Sequence, residues 1–266
     1  MKRPTLAELG IELTATTPRQ RVEAIVFPFV WMAVFLVGWE THYRPIVCPL
    51  AILLLFSATS TSAHDVLHGS LGMERRLTEW ALFLIGASIL ESGHAYRATH
   101  LEHHRLFPFE GDIEGEAAHM PLWRVLLSGP AFLPRLWLWA WNKRKEDSVE
   151  RRWLAIEALL PLIALLAGLW IRPVTTGPLA FSGTVLLASW FYPIFAVWLP
   201  HREFLETRAL PAWTVRGVLF PKLFRPLAYH LEHHLYPRVP SHNLPKLAAK
   251  LEPWLRENRV HFVHLP

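Results

Sequence analysis

The 266-residue sequence contains little charge and almost no cysteine, and each shortage excludes a class of protein. The one cysteine, Cys48, excludes an internal disulfide and therefore a disulfide-stabilised scaffold. Charged residues make up 18% of the chain, whereas soluble domains contain roughly 25%. Hydrophobic residues reach 52%, which excludes a disordered chain. This balance predicts a membrane protein with a substantial part outside the bilayer, because a pure bundle of spanning helices would be more apolar still.

Four apolar stretches approach the roughly 20 residues that a spanning helix needs. They are residues 24–41, 46–63, 153–171 and 179–199. The first stretch lacks the basic start and small-residue cleavage site of a signal peptide, so we expect it to be a retained helix. Short loops join the stretches in pairs, which predicts two helical hairpins.

Nearly all basic residues lie on one side of this topology. Of the 27 Lys and Arg residues, 25 fall in the N-terminal tail, in residues 64–152 or in residues 201–266. The two short loops contain one each, Arg44 and Arg172. The positive-inside rule therefore predicts that both termini and both long segments are cytoplasmic. We expect no nucleic-acid partner, because the basic residues do not alternate with aromatic residues as in a binding groove.

Two further segments are predicted to lie along the membrane surface. Residues 80–90 are apolar but too few to cross the bilayer. Residues 121–141 are rich in tryptophan and are followed by basic residues, a combination that favours the headgroup level. The predicted fold is therefore all-α: one integral membrane domain over residues 1–266, with four spans, interfacial helices and a cytoplasmic helical cap formed by residues 64–152 and 201–266.

Nine of the 15 histidines fall in short groups that follow the spans or lie in the predicted cap. Box one is HDVLH at residues 64–68, box two is HLEHH at residues 100–104, and box three is HLEHH at residues 230–234. A ninth histidine directly follows the fourth span. Residues i, i+3 and i+4 share one face of a helix, so each box points two or three imidazoles at one place. The nine are His64, His68, His100, His103, His104, His201, His230, His233 and His234.

All nine imidazoles lie on one side of the predicted membrane, which predicts a shared metal site. Zinc takes three or four ligands, so nine favour two first-row metal ions with positions open for oxygen. Imidazole binds Fe, Zn and Cu alike and leaves the metal's identity open. Asp65, Glu102 and Glu232 adjoin the ligands in sequence but point away from the ligand face, and we expect them to orient imidazoles from behind.

The remaining polar residues near the boxes have simpler interpretations. Asp112, Glu114 and Glu116 are interpreted as a polar cytoplasmic loop rather than as groups that orient the ligands. His94, six residues before box two, is the best candidate for an additional ligand. Glu157 lies in the third stretch about one turn from its cytoplasmic end, so we expect its side chain to snorkel to the membrane surface.

These boxes resemble the membrane fatty acid desaturase superfamily, with its HxxxH, HxxHH and HxxHH motifs, over roughly residues 46–251. The most specific part is YHLEHHLYPRVPSHNLPKL at residues 229–247, which is similar to the third box of acyl-lipid desaturases and of carotenoid ring ketolases. In the family a further histidine precedes the third box, and His201 stands in a suitable place. The resemblance implies that the nine histidines hold two iron ions.

The resemblance also implies the reaction and its partners. It implies oxygen-dependent oxidation of an unactivated C–H bond in an apolar lipid drawn from the bilayer. The electrons would come from a soluble donor of ferredoxin or cytochrome b5 type, which the basic cap is expected to attract. Spans two and four are expected to line the substrate channel, together with aromatic residues such as Phe191, Tyr192, Trp190 and Trp198.

The choice of substrate stays open at the level of sequence. Fatty acyl desaturation is the leading interpretation, and ketolation or hydroxylation of a carotenoid ring is the alternative. The motifs HDVLHG and WLPHR look more like the carotenoid enzymes, and His230 stands where front-end acyl desaturases usually have glutamine. A membrane protein that binds or transports metal is a more distant alternative, because the four stretches contain few polar residues near their centres.

Overall fold

The computed structural model describes residues 2–205 and 209–265, and these residues are mostly helical. Four helical segments are long and apolar enough to cross a membrane, by length and composition. They are Ile11–Trp39, Arg44–Leu67, Val149–Ile171 and Gly177–His201. Each contains most of one predicted stretch, so the prediction of four spans is confirmed.

The spans comprise six α-helices, because the third and fourth are interrupted. The six are α2 (Pro18–Trp39), α3 (Arg44–Leu67), α7 (Val149–Glu157), α8 (Leu160–Ile171), α9 (Gly177–Ser189) and α10 (Leu199–His201), and the short α1 (Leu6–Leu9) precedes the first span. Between α9 and α10 the chain makes a π-helical turn at Pro193–Trp198. Such turns frequently occur at functional sites, and this one leads directly to His201.

Helix α2 begins earlier than the sequence predicts because a capping box starts it. The Thr17 hydroxyl accepts from the Gln20 N–H at 3.3 Å, and the Gln20 side chain accepts from the Thr17 N–H at 2.8 Å. The helix ends at Trp39, so Thr41, which the prediction places in the span, lies in the turn to α3. Helices α2 and α3 form the first hairpin, and buried Phe35 and Leu55 pack in one cluster with side chains of α9.

The segment between the second and third spans contains three longer helices. They are α4 (Arg75–Ala87), α5 (Gly93–Leu106) and α6 (Leu122–Asn142). Helix α6 buries one stripe of side chains, from Val125 through Phe132 to Ala140, and exposes Trp123 and Leu127 on the other side. Neither α4 nor α6 is among the candidate spans of the described residues, as expected for interfacial segments.

The segment after the fourth span completes the cap. It contains α11 (Leu219–Leu223), α12 (Arg225–Ala228), α13 (His230–Leu235) and α14 (Leu244–Glu257), with two three-residue strands, β1 (Thr214–Arg216) and β2 (Phe262–His264). The strands are parallel, with Thr214 opposite Phe262. Helices α13 and α14 bury a leucine-rich core against Leu9 and Leu13.

Close backbone contact at Gly93 positions the helix that carries box two. A Cβ at this position would clash with the backbone carbonyl of Leu82 in α4. Only glycine allows the two helices to approach this closely. Ser92 caps α5 by accepting from the Ala95 N–H at 3.0 Å.

Candidate metal centre

The nine histidines meet at one place in two groups. One group contains His64, His68, His100, His104 and His233, and the other contains His103, His201 and His234. Within each group one potential ligand atom per residue lies within 4.8 Å of all the others. His230 adjoins the second group, because its Nε2 atom is 3.0 Å from Nε2 of His201 and 3.3 Å from Nε2 of His234.

Helical geometry divides each HLEHH box between the two groups. Consecutive residues on an α-helix differ by about 100° in direction. His104 on α5 therefore faces the first group, while His103 faces the second. Helix α13 repeats this arrangement, with His233 in the first group and His234 in the second.

Several imidazoles face one another through nitrogens that both carry lone pairs. His201 Nδ1 lies 2.7 Å from the Pro211 carbonyl and His230 Nδ1 lies 3.0 Å from the Pro226 carbonyl, so both Nδ1 atoms donate. A neutral ring that donates through Nδ1 has an acceptor at Nε2. The two Nε2 atoms are nevertheless only 3.0 Å apart. Two lone pairs at this distance repel each other, whereas a metal ion held by these two rings would accept both.

Unpartnered buried nitrogens point to the same conclusion. Nε2 of His64 and Nε2 of His68 are buried and have no hydrogen-bond partner among the described residues. An unpaired buried polar atom costs free energy unless something else binds it. The residues present therefore fit metal ions, through donor nitrogens that face inward.

Burial holds most of these rings in the neutral form that binds metal. It lowers the pKa of His68 and of His230 to about 3. Burial first, and then neighbouring imidazoles, lower the pKa of the other rings outside the spans well below the usual range: His100, His104, His233 and His234. Neutral imidazole keeps its lone pair, so these rings are ready to bind a cation near neutral pH.

Two carboxylates behind box two orient its imidazoles. Asp112 Oδ2 lies 2.7 Å from His103 Nδ1, and Glu114 Oε1 lies 3.0 Å from His100 Nδ1. Asp112 is itself held, since its Oδ1 accepts from the N–H groups of Glu114 and Gly115. Although burial lowers the pKa of His103, the hydrogen bond and charge of Asp112 outweigh burial and raise it. Both carboxylates are almost fully buried.

A cavity of about 960 Å³ reaches this centre. His64 and His100 of the first group line its inner end, together with His230, which adjoins the second group. Helix α3 lines one wall with a residue in nearly every turn, starting at Arg44. Phe191 and Tyr192 line the opposite wall. Most of the lining residues are apolar.

The sequence comparison agrees with this geometry. The family model of the fatty acid desaturases matches residues 40–266, which is most of the chain. The chain belongs to the fatty acid desaturase family. The prediction of the membrane desaturase superfamily is thereby confirmed, and membership in this family of membrane enzymes agrees with the four apolar spans.

This desaturase-family chain is also similar to a curated relative from Arabidopsis thaliana. That relative is the temperature-sensitive sn-2 acyl-lipid omega-3 desaturase (ferredoxin), chloroplastic, and the two sequences are 24% identical. The match covers 87% of this chain and 61% of the relative. The chain thus spans about three-fifths of the relative's length.

The carboxylates predicted to orient the imidazoles are the wrong ones. Asp65 accepts from the Ser241 N–H at 2.9 Å and Glu102 forms an ion pair with Arg105. Glu232 accepts from the Thr214 hydroxyl at 2.7 Å and from Arg216 at 2.9 Å. All three point away from the ligand face as expected, but none contacts an imidazole among the described residues.

The acidic loop after box two is the part of the site that sequence reasoning missed. Asp112 and Glu114 are buried anchors rather than solvated loop residues, and only Glu116 is exposed and pairs with Arg135. The signal was present as three acids within five residues that follow box two. Their irregular spacing gives no helical face, so only the folded loop shows which of them turn inward.

His94 and Glu157 also differ from their predictions, because they bind each other. His94 Nδ1 lies 2.7 Å from Glu157 and Nε2 lies 2.9 Å from Glu79, so neither nitrogen is free for a metal. Glu157 is 1% exposed and accepts from the Ser92 hydroxyl as well, so it does not snorkel. The pair ties the start of α5 to the third span, which fixes the helix of box two against the membrane part.

The predicted aromatic lining of the channel is half right. Phe191 and Tyr192 line the large cavity, but Trp190 and Trp198 do not. Trp190 is 46% exposed on the surface of the spans, and the Trp198 N–H donates to the Met120 carbonyl at 2.9 Å. The π-helical turn rotates this segment relative to a regular helix, which a sequence periodicity does not reveal.

Proposed function

We propose that this protein is an oxygen-dependent di-iron enzyme that oxidises an unactivated C–H bond of a membrane lipid, with fatty acyl desaturation as its leading reaction. The observation that carries the proposal is the large cavity, whose inner end is lined by two histidines of the first group and by His230 beside the second. A substrate that fills the cavity would lie directly beside the bound metals. The nine histidines would hold two iron ions, five rings on one and four on the other.

The side chains around the centre supply orientation. Iron, when bound, supplies the oxidising power that no protein side chain has. Asp112 and Glu114 hold His103 and His100 through their Nδ1 atoms, so that Nε2 of each ring points at the metals. Carbonyl groups play the same part for His201 and His230. Partners of this kind usually matter to metal affinity almost as much as the ligands.

The apolar cavity supplies placement. An unactivated C–H bond offers no polar group to grip, so regioselectivity has to come from the shape of the cavity and from holding the chain close to the metals. Phe56 on α3 and Phe191 beyond α9 narrow the space from opposite walls. The walls also keep bulk water away from the reacting carbon.

The electron donor is proposed to be a soluble acidic protein of ferredoxin or cytochrome b5 type. The curated relative's name includes ferredoxin. We also propose that the centre and both termini are cytoplasmic, since 25 of the 27 basic residues lie outside the two short loops. Donor-supported turnover should fall as salt rises, and turnover independent of ionic strength would contradict this docking.

The length of the cavity favours a second candidate, oxidation of a carotenoid ring. The lining of α3 runs from Arg44 to His64, 20 residues and therefore about 30 Å along the helix. This equals the whole hydrocarbon core, about 30 Å, of which an acyl chain from one leaflet covers roughly half. A long linear polyene that crosses the bilayer would fill such a cavity from end to end.

One experiment separates the two reactions. The chain is expressed in a host that makes ordinary phospholipids and in a host that accumulates β-carotene, and the lipids are analysed by mass spectrometry. Loss of two hydrogens from acyl chains supports desaturation, and oxygen added to the carotenoid supports the second candidate. No change in either host, with metal-loaded protein present in the membrane, would contradict both.

A blocking variant sharpens the result. Ile52 lines the half of the cavity far from the histidines, whereas Leu50 is 51% exposed on the same helix. Ile52→Trp should abolish oxidation of a molecule that fills the whole cavity and spare a chain that enters only the inner half. Leu50→Trp is the matched control and should change neither activity.

Metal analysis separates the enzyme from a metal-binding or metal-transporting membrane protein. Purified protein with two irons per chain and reductant-dependent turnover supports the proposal. Metal well below two per chain, together with no turnover after reconstitution with iron and a reductant, would support the metal-transport alternative. The buried convergence of the nine rings at one end of the spans argues against a path across the bilayer.

A further inference from the structure

A second cavity, of about 290 Å³, lies on the other side of α3. Ala58 lines it, while Phe56 and Ser60, two residues before and after, line the large cavity. Two residues turn an α-helix by about 200°, so α3 separates the two cavities. The small cavity has no assigned role in the proposed reaction.

The small cavity changes from apolar to cationic along its length. Phe27 and Trp31 lie about 14 and 20 Å along α2 from its first residue, well inside the span. Lys222 and Arg225 line the other end, where the cap meets the first two spans. A cavity with an apolar inner part and a basic outer part matches an amphiphile that carries negative charge.

The two cations have no close acidic partner among the described residues, although the charge of Asp65 in the same cavity acts on Arg225. Neither Lys222 nor Arg225 forms a side-chain hydrogen bond or ion pair with another residue in the part of the chain that the structure describes. Glu23, which also lines the cavity, is paired with Arg19 at 2.7 Å. A half-buried guanidinium without a partner is costly, so an anion at this point would be stabilising.

The other charged or titratable groups at the polar end are already engaged. Asp65 accepts from both the N–H and the hydroxyl of Ser241. His242 Nε2 lies 3.2 Å from the Ala15 carbonyl, which makes this nitrogen a donor. The cavity therefore presents two cations that no group in it neutralises fully.

We propose that the small cavity binds one phospholipid from the membrane leaflet on the histidine side, with its phosphate between Lys222 and Arg225 and one acyl chain along Phe27 and Trp31. Arginine binds phosphate through paired N–H donors and lysine as a point charge. Basic pockets between spanning helices at the membrane surface hold lipid headgroups in the same way. This site lies outside the substrate cavity and does not depend on which reaction the metal centre performs.

A lipid in this site would brace a wall of the substrate cavity. Beside α3, the segment from α11 to α12 also separates the two cavities, because Phe220 and Phe224 line the large one while Lys222 and Arg225 line the small one. Pro226 lies in the same segment, and its carbonyl accepts a hydrogen bond from His230. Lipid occupancy would therefore steady both the channel and a ligand.

The test is thermal unfolding of the full chain in phosphatidylcholine nanodiscs with increasing phosphatidylglycerol. A specific site should raise the melting temperature by roughly 5 °C at a hundredfold excess over Kd. The double variant Lys222→Gln, Arg225→Gln should lose this shift. The matched control, Arg144→Gln with Lys145→Gln, removes the same charges from the loop after α6 and should keep it.

Two further measurements make the result decisive. Ala58→Trp fills the small cavity and leaves both cations in place, so it should also remove the shift. Arg225→Lys preserves charge and should retain at least half of it, which separates lost binding from a damaged fold. A full shift in the double variant would overturn the proposal by showing general attraction to anionic membrane. A full shift with inorganic phosphate alone would overturn the lipid assignment.

Discussion

The same pentapeptide, HLEHH, is supported in two different ways in boxes two and three. Box two forms the last turns of the 14-residue α5, and its Glu102 faces outward in an ion pair with Arg105. Box three makes up most of the six-residue α13, and its Glu232 is fully buried against Thr214 and Arg216. Glu102 contacts a residue of its own helix, whereas Glu232 connects α13 to strand β1.

The partners of the imidazoles differ as well. Box two relies on the carboxylates Asp112 and Glu114, which come from the loop that follows it. In box three, the Pro226 carbonyl orients His230, and Nδ1 of His233 is buried without a partner among the described residues. Identical histidine spacing thus gives both boxes similar inward-facing rings, whereas the residues that support each ring come from other parts of the chain.

The largest expected effect treats the two boxes alike. His103→Ala and His233→Ala each remove a ring from one of the two groups, so both should abolish turnover and lower the bound metal. Metal content by mass spectrometry and turnover with a reductant check this. His261→Ala, an exposed histidine outside the boxes, is the control. Wild-type activity in either ligand variant would show that the site is wrongly assigned.

The second-largest expected effect is on thermal stability, and it should differ between the glutamates at the centre of the two boxes. Glu232→Ala removes the buried acceptor of the Thr214 hydroxyl and the shorter of the two ion pairs of Arg216, which keeps only Glu252 at 3.7 Å, and should lower the melting temperature by roughly 5–10 °C. Glu102→Ala loses an exposed ion pair and should change the melting temperature by less than about 1 °C. Calorimetry of the two variants measures the difference. Equal effects would mean that the two pentapeptides are supported alike.

The third effect is specific to the carboxylates of box two. Asp112→Asn keeps the shape but loses the charge that holds His103, so metal affinity should fall about 10- to 100-fold. Competition with a chelator gives the affinity. Glu116→Gln changes an exposed acid four residues further along the same loop and serves as the control. An unchanged metal affinity in the Asp112 variant would show that the charge of Asp112 does not support box two.

The smallest effect concerns the approach to box two. Glu91 lies two residues before α5, where box three has Ala228 in the same relation to α13. Burial, opposed by a hydrogen bond from Ser189, raises the pKa of Glu91 to about 8. The folded state therefore retains a proton that the unfolded chain loses above about pH 4.5, so stability falls as pH rises from there to about 8.

Glu91→Gln removes that titration. The variant should gain roughly 2–4 °C in melting temperature relative to wild type at pH 8.5 and nothing at pH 4.5. Ala228→Gln places the same side chain before box three and should show no such pH dependence, whatever its effect on packing. A constant difference between Glu91→Gln and wild type across this range would contradict the buried, protonated carboxyl.

The sequence predicts what local spacing determines. Length and apolarity give the four spans, and the i, i+3, i+4 rule gives the rings that face one another. The partners of those rings follow from contacts between distant segments. His94 and Glu157 are 63 residues apart, and their hydrogen bond makes a predicted ligand and a predicted snorkelling residue into one buried pair.

The same limit explains the acidic residues. A carboxylate adjacent to a ligand on a helix necessarily faces away from the metal, so Asp65, Glu102 and Glu232 support other parts of the fold. Asp112 and Glu114 reach the rings because a loop, which has no fixed periodicity, returns to α5. Sequence alone does not give the path of such a loop.

The packing of residues 2–14 against α14 has a consequence for how the protein is made. Arg3 donates to the Leu235 carbonyl at 2.7 Å, and Asn243 donates to the Leu13 carbonyl at 3.0 Å. These partners are separated by some 230 residues, which a ribosome adds in roughly 10–50 s at 5–20 residues per second. Boxes one and two are complete long before box three emerges. The nascent chain thus displays five of its nine imidazoles first, and residues 2–14 pack against α14 only after some 230 further residues have been added.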